Sequence, residues 1–137
     1  MLKILLIFIS MIIINSYSDE IDYDQLRYKN GLLYQKQNDE VFTGNVTGIQ
    51  YGKVVNGLKE GEWKGFYGNG NLLWTGFYNK GLNVSKWIEY HNNGNVFTMG
   101  HYENGKKIGV WSFYDEQGKK IADEIYKNGT VTTKIYK

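Results

Sequence analysis

The sequence predicts an all-β protein, a meander of antiparallel strands in which each hairpin forms one repeat. Three observations support this fold class: a spacing of 24 residues between similar segments, glycine-containing turns at regular intervals, and short aromatic and β-branched runs between the turns. Such runs have the composition that half-buried strands prefer. The 137 residues include no proline and no cysteine. The absence of cysteine excludes a disulfide framework and a thiolate zinc site.

Asn-Gly pairs mark the predicted turns of the meander. They stand at residues 30–31, 56–57, 69–70, 93–94, 104–105 and 128–129. Both residues tolerate positive φ, so we expect each pair to form a two-residue primed hairpin turn. About ten strands at roughly 4.8 Å each would give a curved or twisted sheet about 45 to 50 Å long.

Six sets of residues define the repeat. They are Trp63, Trp87 and Trp111; Phe66, Tyr90 and Tyr114; Gly70, Gly94 and Gly118; Tyr78, Tyr102 and Tyr126; Gly57, Gly81, Gly105 and Gly129; and Gly52, Gly76 and Gly100. Repeated rings stacked along one face are expected to take the place of an opposing layer. Gly76 and Gly100 fall inside predicted strands, where glycine normally weakens pairing. A cross-strand ring lying over bare backbone would explain them, and a bulge is the alternative.

The chain begins with a segment typical of a secretory signal peptide, residues 1–18. A basic start precedes an apolar run at residues 4–14, and the small Ser16 and Ser18 fit a small-x-small cleavage site. The eleven residues of that run would rise only about 16 Å as a helix, about half of a bilayer core. The sequence therefore predicts export and cleavage before Asp19, and the alternative is an uncleaved amino-terminal anchor. No second apolar run follows, so no transmembrane span is expected after signal removal.

Residues 19–25 form an acidic lead-in, and the repeat domain is predicted to occupy residues 26–137. Acids at positions 19, 20, 22 and 24 favour a solvated, mobile segment, and a contact for a basic partner is the alternative. Coil or one turn of helix is expected over residues 19–27.

The repeat resembles a known family, the variant MORN (membrane occupation and recognition nexus) repeat. The resemblance is carried by Gly-x-Trp-x-x-Tyr-x-x-Asn-Gly and by Gly-x-Tyr-x-Asn-Gly-Lys-x-x-Gly-x-Trp at residues 100–111, and it covers roughly residues 26–130. It implies a single-layer, elongated and twisted antiparallel sheet. Exported bacterial proteins of this type are often labelled YwqK-like antitoxins of toxin–antitoxin systems. Ser85 departs from the pattern, since glycine stands at the matching positions 61 and 109, and we expect a reshaped turn there.

No catalytic residue, cofactor site or metal site is predicted. After residue 18 the only histidines are His91 and His101, which flank one turn. In a hairpin they would lie roughly 16 Å apart, which removes a shared metal site. The adjacent acids at 115–116 and 123–124 would point to opposite faces of a strand and are interpreted as solvated charges.

Between Trp63 and Tyr126, five aromatic residues lie outside the repeating sets, and these are the predicted partner-binding residues. They are Tyr67, Trp74, Phe77, Phe97 and Phe113. We expect an exposed strip centred on Trp74, Phe77 and Phe97, suited to a partner protein or a glycan, because rings supply interface energy in few residues. Ordinary filling of the second face is the alternative.

The expected function is a non-enzymatic, exported repeat module that binds or scaffolds a protein or an envelope or glycan component, in the periplasm or outside the cell. The alternative is an antitoxin or immunity-type protein that masks a toxin, and the remote alternative is a hydrolase. A net charge of +2 with interspersed signs argues against a nucleic-acid partner. The strand-like run at residues 131–137 carries only two lysines, so a monomer and an edge-to-edge dimer are both compatible with the sequence.

Overall fold

The computed structural model describes residues 19–137, and the predicted signal peptide at residues 1–18 lies outside the described residues. Strands and one short 3₁₀ turn, Tyr23–Gln25, make up the regular structure of this range. The strands are β1 (Glu20–Asp22), β2 (Leu26–Lys29), β3 (Leu32–Gln35), β4 (Gly44–Thr47), β5 (Gln50–Val55), β6 (Leu58–Phe66), β7 (Leu72–Asn79), β8 (Leu82–Tyr90), β9 (Val96–Glu103), β10 (Lys106–Tyr114), β11 (Lys120–Lys127) and β12 (Thr130–Tyr136).

Ten of these strands form one long, open sheet in the order β1-β4-β5-β6-β7-β8-β9-β10-β11-β12. From β4 onward each strand pairs antiparallel with the next one along the chain. The sheet does not close into a barrel. The predicted all-β meander is therefore confirmed.

The first strand differs from the prediction. β1 lies parallel to β4, with Ile21 opposite Val46, so three residues of the acidic segment belong to the sheet. Only Ile21 of β1 is apolar, and one apolar residue gives no periodic signal from which a strand could be predicted.

Within residues 19–137, a second layer covers the sheet only at this first end. β2 and β3 form a separate two-stranded sheet, and their Leu26 and Leu33 join a buried cluster with Phe42, Val46, Val54 and Trp63. The backbone N–H of Leu33 also donates to the carbonyl of Gly57 at 2.8 Å. Aliphatic side chains can form a core here because another layer covers them.

Farther along, aromatic rings cover one face of the single sheet, which we call the tryptophan face. Edge-to-face contacts run without a break from ring to ring, with centroids 5.1 to 6.2 Å apart. The rings are, in order, Trp63, Tyr78, Trp87, Tyr102, Trp111 and Tyr126. Trp63 and Trp111 are 0 % exposed and Trp87 is 7 % exposed. The repeated rings thus replace the missing layer, as predicted.

Glycines beneath these rings make the close packing possible. A Cβ atom added to Gly76 would overlap the ring of Trp87, and one added to Gly100 would overlap Trp111. The prediction of a ring over bare backbone is confirmed, because any side chain at these positions would lift the ring from the strand.

One set of bulges lies on the neighbouring strands, across from these glycines. Gly61, Ser85 and Gly109 have φ angles of 70°, 59° and 62°, and the strand register shifts beside each of them. The expectation of a reshaped turn at Ser85 is wrong: the serine lies within β8 and keeps the left-handed conformation of its glycine counterparts. Ser85 pairs with Tyr102 of β9 and lies in the bulge that faces β7, and its left-handed conformation costs free energy for a residue with a Cβ.

The turns confirm the Asn-Gly prediction in part. Asn56-Gly57 and Asn104-Gly105 have positive φ at both residues, as primed turns require. At residues 69–70 and 93–94 only the glycine is in this region. The Asn69 carboxamide oxygen instead accepts the backbone N–H of Asn71 at 3.1 Å, an Asx turn within a longer loop.

Candidate binding surfaces

The face of the sheet that points away from the tryptophans, here called the opposite face, carries exposed apolar side chains. Phe77 on β7 is 44 % exposed and Val110 on β10 is 53 % exposed. On the intervening strands β8 and β9, the half-buried Ile88 and Met99 stand opposite each other, in line with Thr75 and Ser112, and the exposed Lys86 and His101 stand opposite each other two residues away. The opposite face therefore carries apolar side chains interspersed with charged ones, and among the described residues no layer covers it.

This face does not follow the repeat of the sequence. The residue at the position of Phe77 is Lys53 one repeat earlier and His101 one repeat later. At the position of Val110 the earlier units carry Glu62 and Lys86. Packing of identical repeats requires the tryptophan face to be the same in each unit, whereas no such requirement acts on the opposite face.

Trp74 and Phe77, two of the predicted partner-binding residues, lie on opposite sides of β7. The Trp74 ring stacks on Trp87 at 4.7 Å between centroids and 13° between planes, so it packs within the tryptophan face. Phe77 lies three residues on and faces the other side, since side chains alternate along a strand. The single exposed strip expected from the sequence is therefore not formed.

Phe97 and Phe113 meet on the tryptophan face, near the start of β9 and the end of β10. Their ring centroids are 6.0 Å apart in an edge-to-face contact, and Phe97 is 38 % exposed. Phe97 is the extra residue of a bulge, since Thr98 pairs with Glu89 while Val96 pairs with Tyr90. The bulge explains why strand alternation alone would misplace this ring.

Tyr67 links neighbouring turns. Its hydroxyl donates to the carbonyl of Tyr90 at 2.7 Å. One repeat later His91 takes the same role, with Nε2 at 2.9 Å from the carbonyl of Tyr114. Because a carbonyl only accepts, Nε2 carries the proton. The other histidine, His101, stands opposite Lys86 in the predicted register.

A cleft at the first end of the sheet was not predicted from the sequence. It has a volume of about 230 Å³ and lies between the β2–β3 hairpin and the tryptophan face. Its lining includes Tyr23, Tyr28, Leu33, Lys59 and Tyr78. In the sequence, Lys59 is distinguished only by its repeat position, which it shares with Asn83 and Lys107. The cleft forms at Lys59 because the β2–β3 hairpin folds over this end of the sheet.

Lys59 is the one titratable side chain of the cleft with a strong electrostatic perturbation among the described residues. Its Nζ lies 4.1 Å from the ring centre of Trp63 and 5.0 Å from that of Tyr78, and it donates to Gln50 Oε1 at 2.7 Å. Burial away from water disfavours the charged form and lowers the pKa of Lys59 to about 8.

Stacking with Trp74 changes the environment of Trp87. The indole N–H groups of Trp63 and Trp111 donate to the carbonyls of Lys53 and His101, at 3.1 and 3.3 Å. Trp87 Nε1 is buried without a hydrogen-bond partner. Trp87, the middle tryptophan, therefore has a ring stack with Trp74 and no hydrogen bond at its indole N–H.

No family model matches the chain, and no curated protein matches it. Within residues 19–137 no three histidine or acidic side chains converge on a point that could hold a metal ion. Nor does that range contain a helix of the length and apolarity needed to cross a membrane.

Proposed function

We propose that the protein is an exported, non-enzymatic repeat module that binds a partner protein through the opposite face of its sheet. The observation that carries the proposal is the exposure of the apolar Phe77 and Val110, at positions where the repeat is broken. An exposed apolar patch on a rigid sheet is typical of an interaction surface.

Charged side chains lie among and beside these apolar residues. Glu62 and Lys64 on β6 lie 3.5 Å apart and are both exposed, and Lys86 and Glu103 are exposed on β8 and β9. Apolar side chains beside charged, solvated ones are typical of a protein interface. Both signs of charge occur on this face, which favours a protein partner of mixed charge over a nucleic acid.

Export and family are further parts of the proposal. The charged start, the apolar run and the small residues at Ser16 and Ser18 support a signal peptide. The open meander is the architecture expected of variant MORN repeats. An immunity-type protein that masks a toxin would use the same face, so the identity of the partner separates the two functions.

Two exposed phenylalanines on opposite faces provide a matched test. A photo-crosslinking residue replaces Phe77 in one variant and Phe97 in another, and each variant is activated in the producing cell. We expect a discrete crosslinked partner from position 77 and none from position 97. A partner captured at position 97 alone, or at neither position, would contradict a binding role for the opposite face.

A further inference from the structure

The cleft of Lys59 is closed on several sides by rings. Tyr23 comes from the 3₁₀ turn, Tyr28 from β2 and Tyr78 from β7, while Leu33 and Leu58 complete the apolar wall. Its volume of about 230 Å³ is below the range of roughly 300 to 1,000 Å³ that holds drug-sized ligands. The cleft therefore suits a small molecule of about one ring.

The ammonium group in this cleft has no anionic partner within residues 19–137. None of the four ion pairs in that range includes Lys59, and its hydrogen bond goes to the neutral Gln50. The surrounding aromatic faces compensate part of the positive charge. A buried charge without a counter-ion costs free energy that a bound anion can recover.

We propose that the Lys59 cleft is a binding site for a small aryl carboxylate, with the carboxylate next to Lys59 Nζ and the ring between the tyrosines. The site lies at the tryptophan face, away from the proposed partner surface at Phe77. It is independent of the function proposed above.

The chemistry of the walls selects this class of ligand. A single ammonium group matches one carboxylate, whereas phosphate sites normally combine several donors. Aromatic walls favour a planar ring through edge and stacked contacts. A cationic ligand would be repelled by Lys59, and a neutral one would leave the ammonium without a counter-ion.

Calorimetric titration of the purified protein tests the site with benzoate as the probe. Benzyl alcohol supplies the ring without charge, and inorganic phosphate supplies charge without the ring. We expect saturable benzoate binding, and binding of each control ligand weaker by roughly tenfold or more. Lys59→Gln should weaken benzoate binding by a similar factor. Lys107→Gln is the matched control, because Lys107 lies over Trp111 at the same repeat position but outside the cleft.

A spectroscopic arm covers the case in which Lys59→Gln does not fold. In wild-type protein with isotope-labelled lysine, benzoate should shift the side-chain resonances of Lys59 and leave those of Lys107 in place. Phe77→Ala should bind benzoate like the wild type, which separates this site from the partner surface. Absence of saturable benzoate binding, equal affinity of Lys59→Gln, or equal shifts at both lysines would overturn the proposal.

Discussion

The two faces of the sheet are built from the same strands but differ in what determines their residues. On the tryptophan face each unit repeats one tryptophan, one tyrosine and one glycine, since every ring must fit over its neighbour's backbone. On the opposite face the matching positions change from Lys53 to Phe77 to His101. The comparison teaches that in a one-layer repeat protein the constant residues hold the fold, and the changing ones are free to recognise a partner.

The largest expected effect is a loss of stability, and it should differ between the two faces. Trp87→Ala removes a ring that contacts Trp74, Tyr78 and Tyr102, and we expect a loss of about 3 kcal/mol in the free energy of unfolding, in the large-to-small core range. Phe77→Ala on the opposite face should cost less than about 1 kcal/mol, because a half-exposed ring loses less burial.

Urea unfolding of both variants provides the measurement. Tyr136→Ala is a further control, since that side chain is 78 % exposed, and it should change the unfolding free energy little. Equal losses at Trp87 and Tyr136 would contradict the account of a stacked core on one face.

The sequence predicted the tryptophan face well and the departures from it poorly. A spacing of 24 identified the rings and the glycines beneath them because both recur in every unit. Trp74 breaks the repeat, but its spacing of two and four residues from Gly76 and Tyr78 predicts that it lies on the same face as Tyr78, a signal that the expected strip overlooked. The direction of Phe97 depends on a bulge, and the Lys59 cleft depends on β2 and β3 folding back, which is a contact between segments distant in sequence.

A second prediction concerns the pH dependence of stability, which should reflect the buried ammonium group of Lys59 on the tryptophan face. Because burial lowers the pKa of Lys59 from 10.5 to about 8, the unfolded chain binds more protons than the folded one between these values. Stability should therefore rise with pH across this window. Relative to Lys59→Met, the wild type should gain about 2 kcal/mol between pH 7 and pH 10, with partial exposure reducing the full linkage value.

Urea midpoints of both proteins at several pH values below 10 measure this difference. The upper limit matters because tyrosines of the unfolded chain have pKa values near 10, whereas burial raises the pKa of Tyr78, which lies beside Lys59 in the fold. A stability difference independent of pH would show that Lys59 is not desolvated by the fold.

A third prediction compares the faces by affinity. Once the partner is captured, Phe77→Ala and Val110→Ala should each weaken binding about tenfold, equivalent to about 1.4 kcal/mol. Phe97→Ala on the tryptophan face should bind like the wild type, with circular dichroism confirming that all three variants are folded. If Phe97→Ala alone loses affinity, the recognition surface lies on the tryptophan face and the roles of the two faces are reversed.

The smallest expected effect lies in the backbone that both faces share. Ser85 has a φ of 59° within β8, a conformation that costs a residue with a Cβ roughly 1 to 2 kcal/mol. Ser85→Gly removes this strain. It also increases the conformational entropy of the unfolded chain, which lowers the free energy of unfolding by about 0.4 to 1 kcal/mol. We therefore expect a net stabilisation of about 0.5 to 1 kcal/mol in urea unfolding.

The reciprocal change Gly109→Ser provides the control. Gly109 has a φ of 62° and open space where a Cβ would be added, so the serine should lower the free energy of unfolding by a similar amount. Destabilisation by Ser85→Gly would mean that the serine side chain holds the bulge, and that the middle unit differs from its neighbours in more than the stack of Trp74 on Trp87.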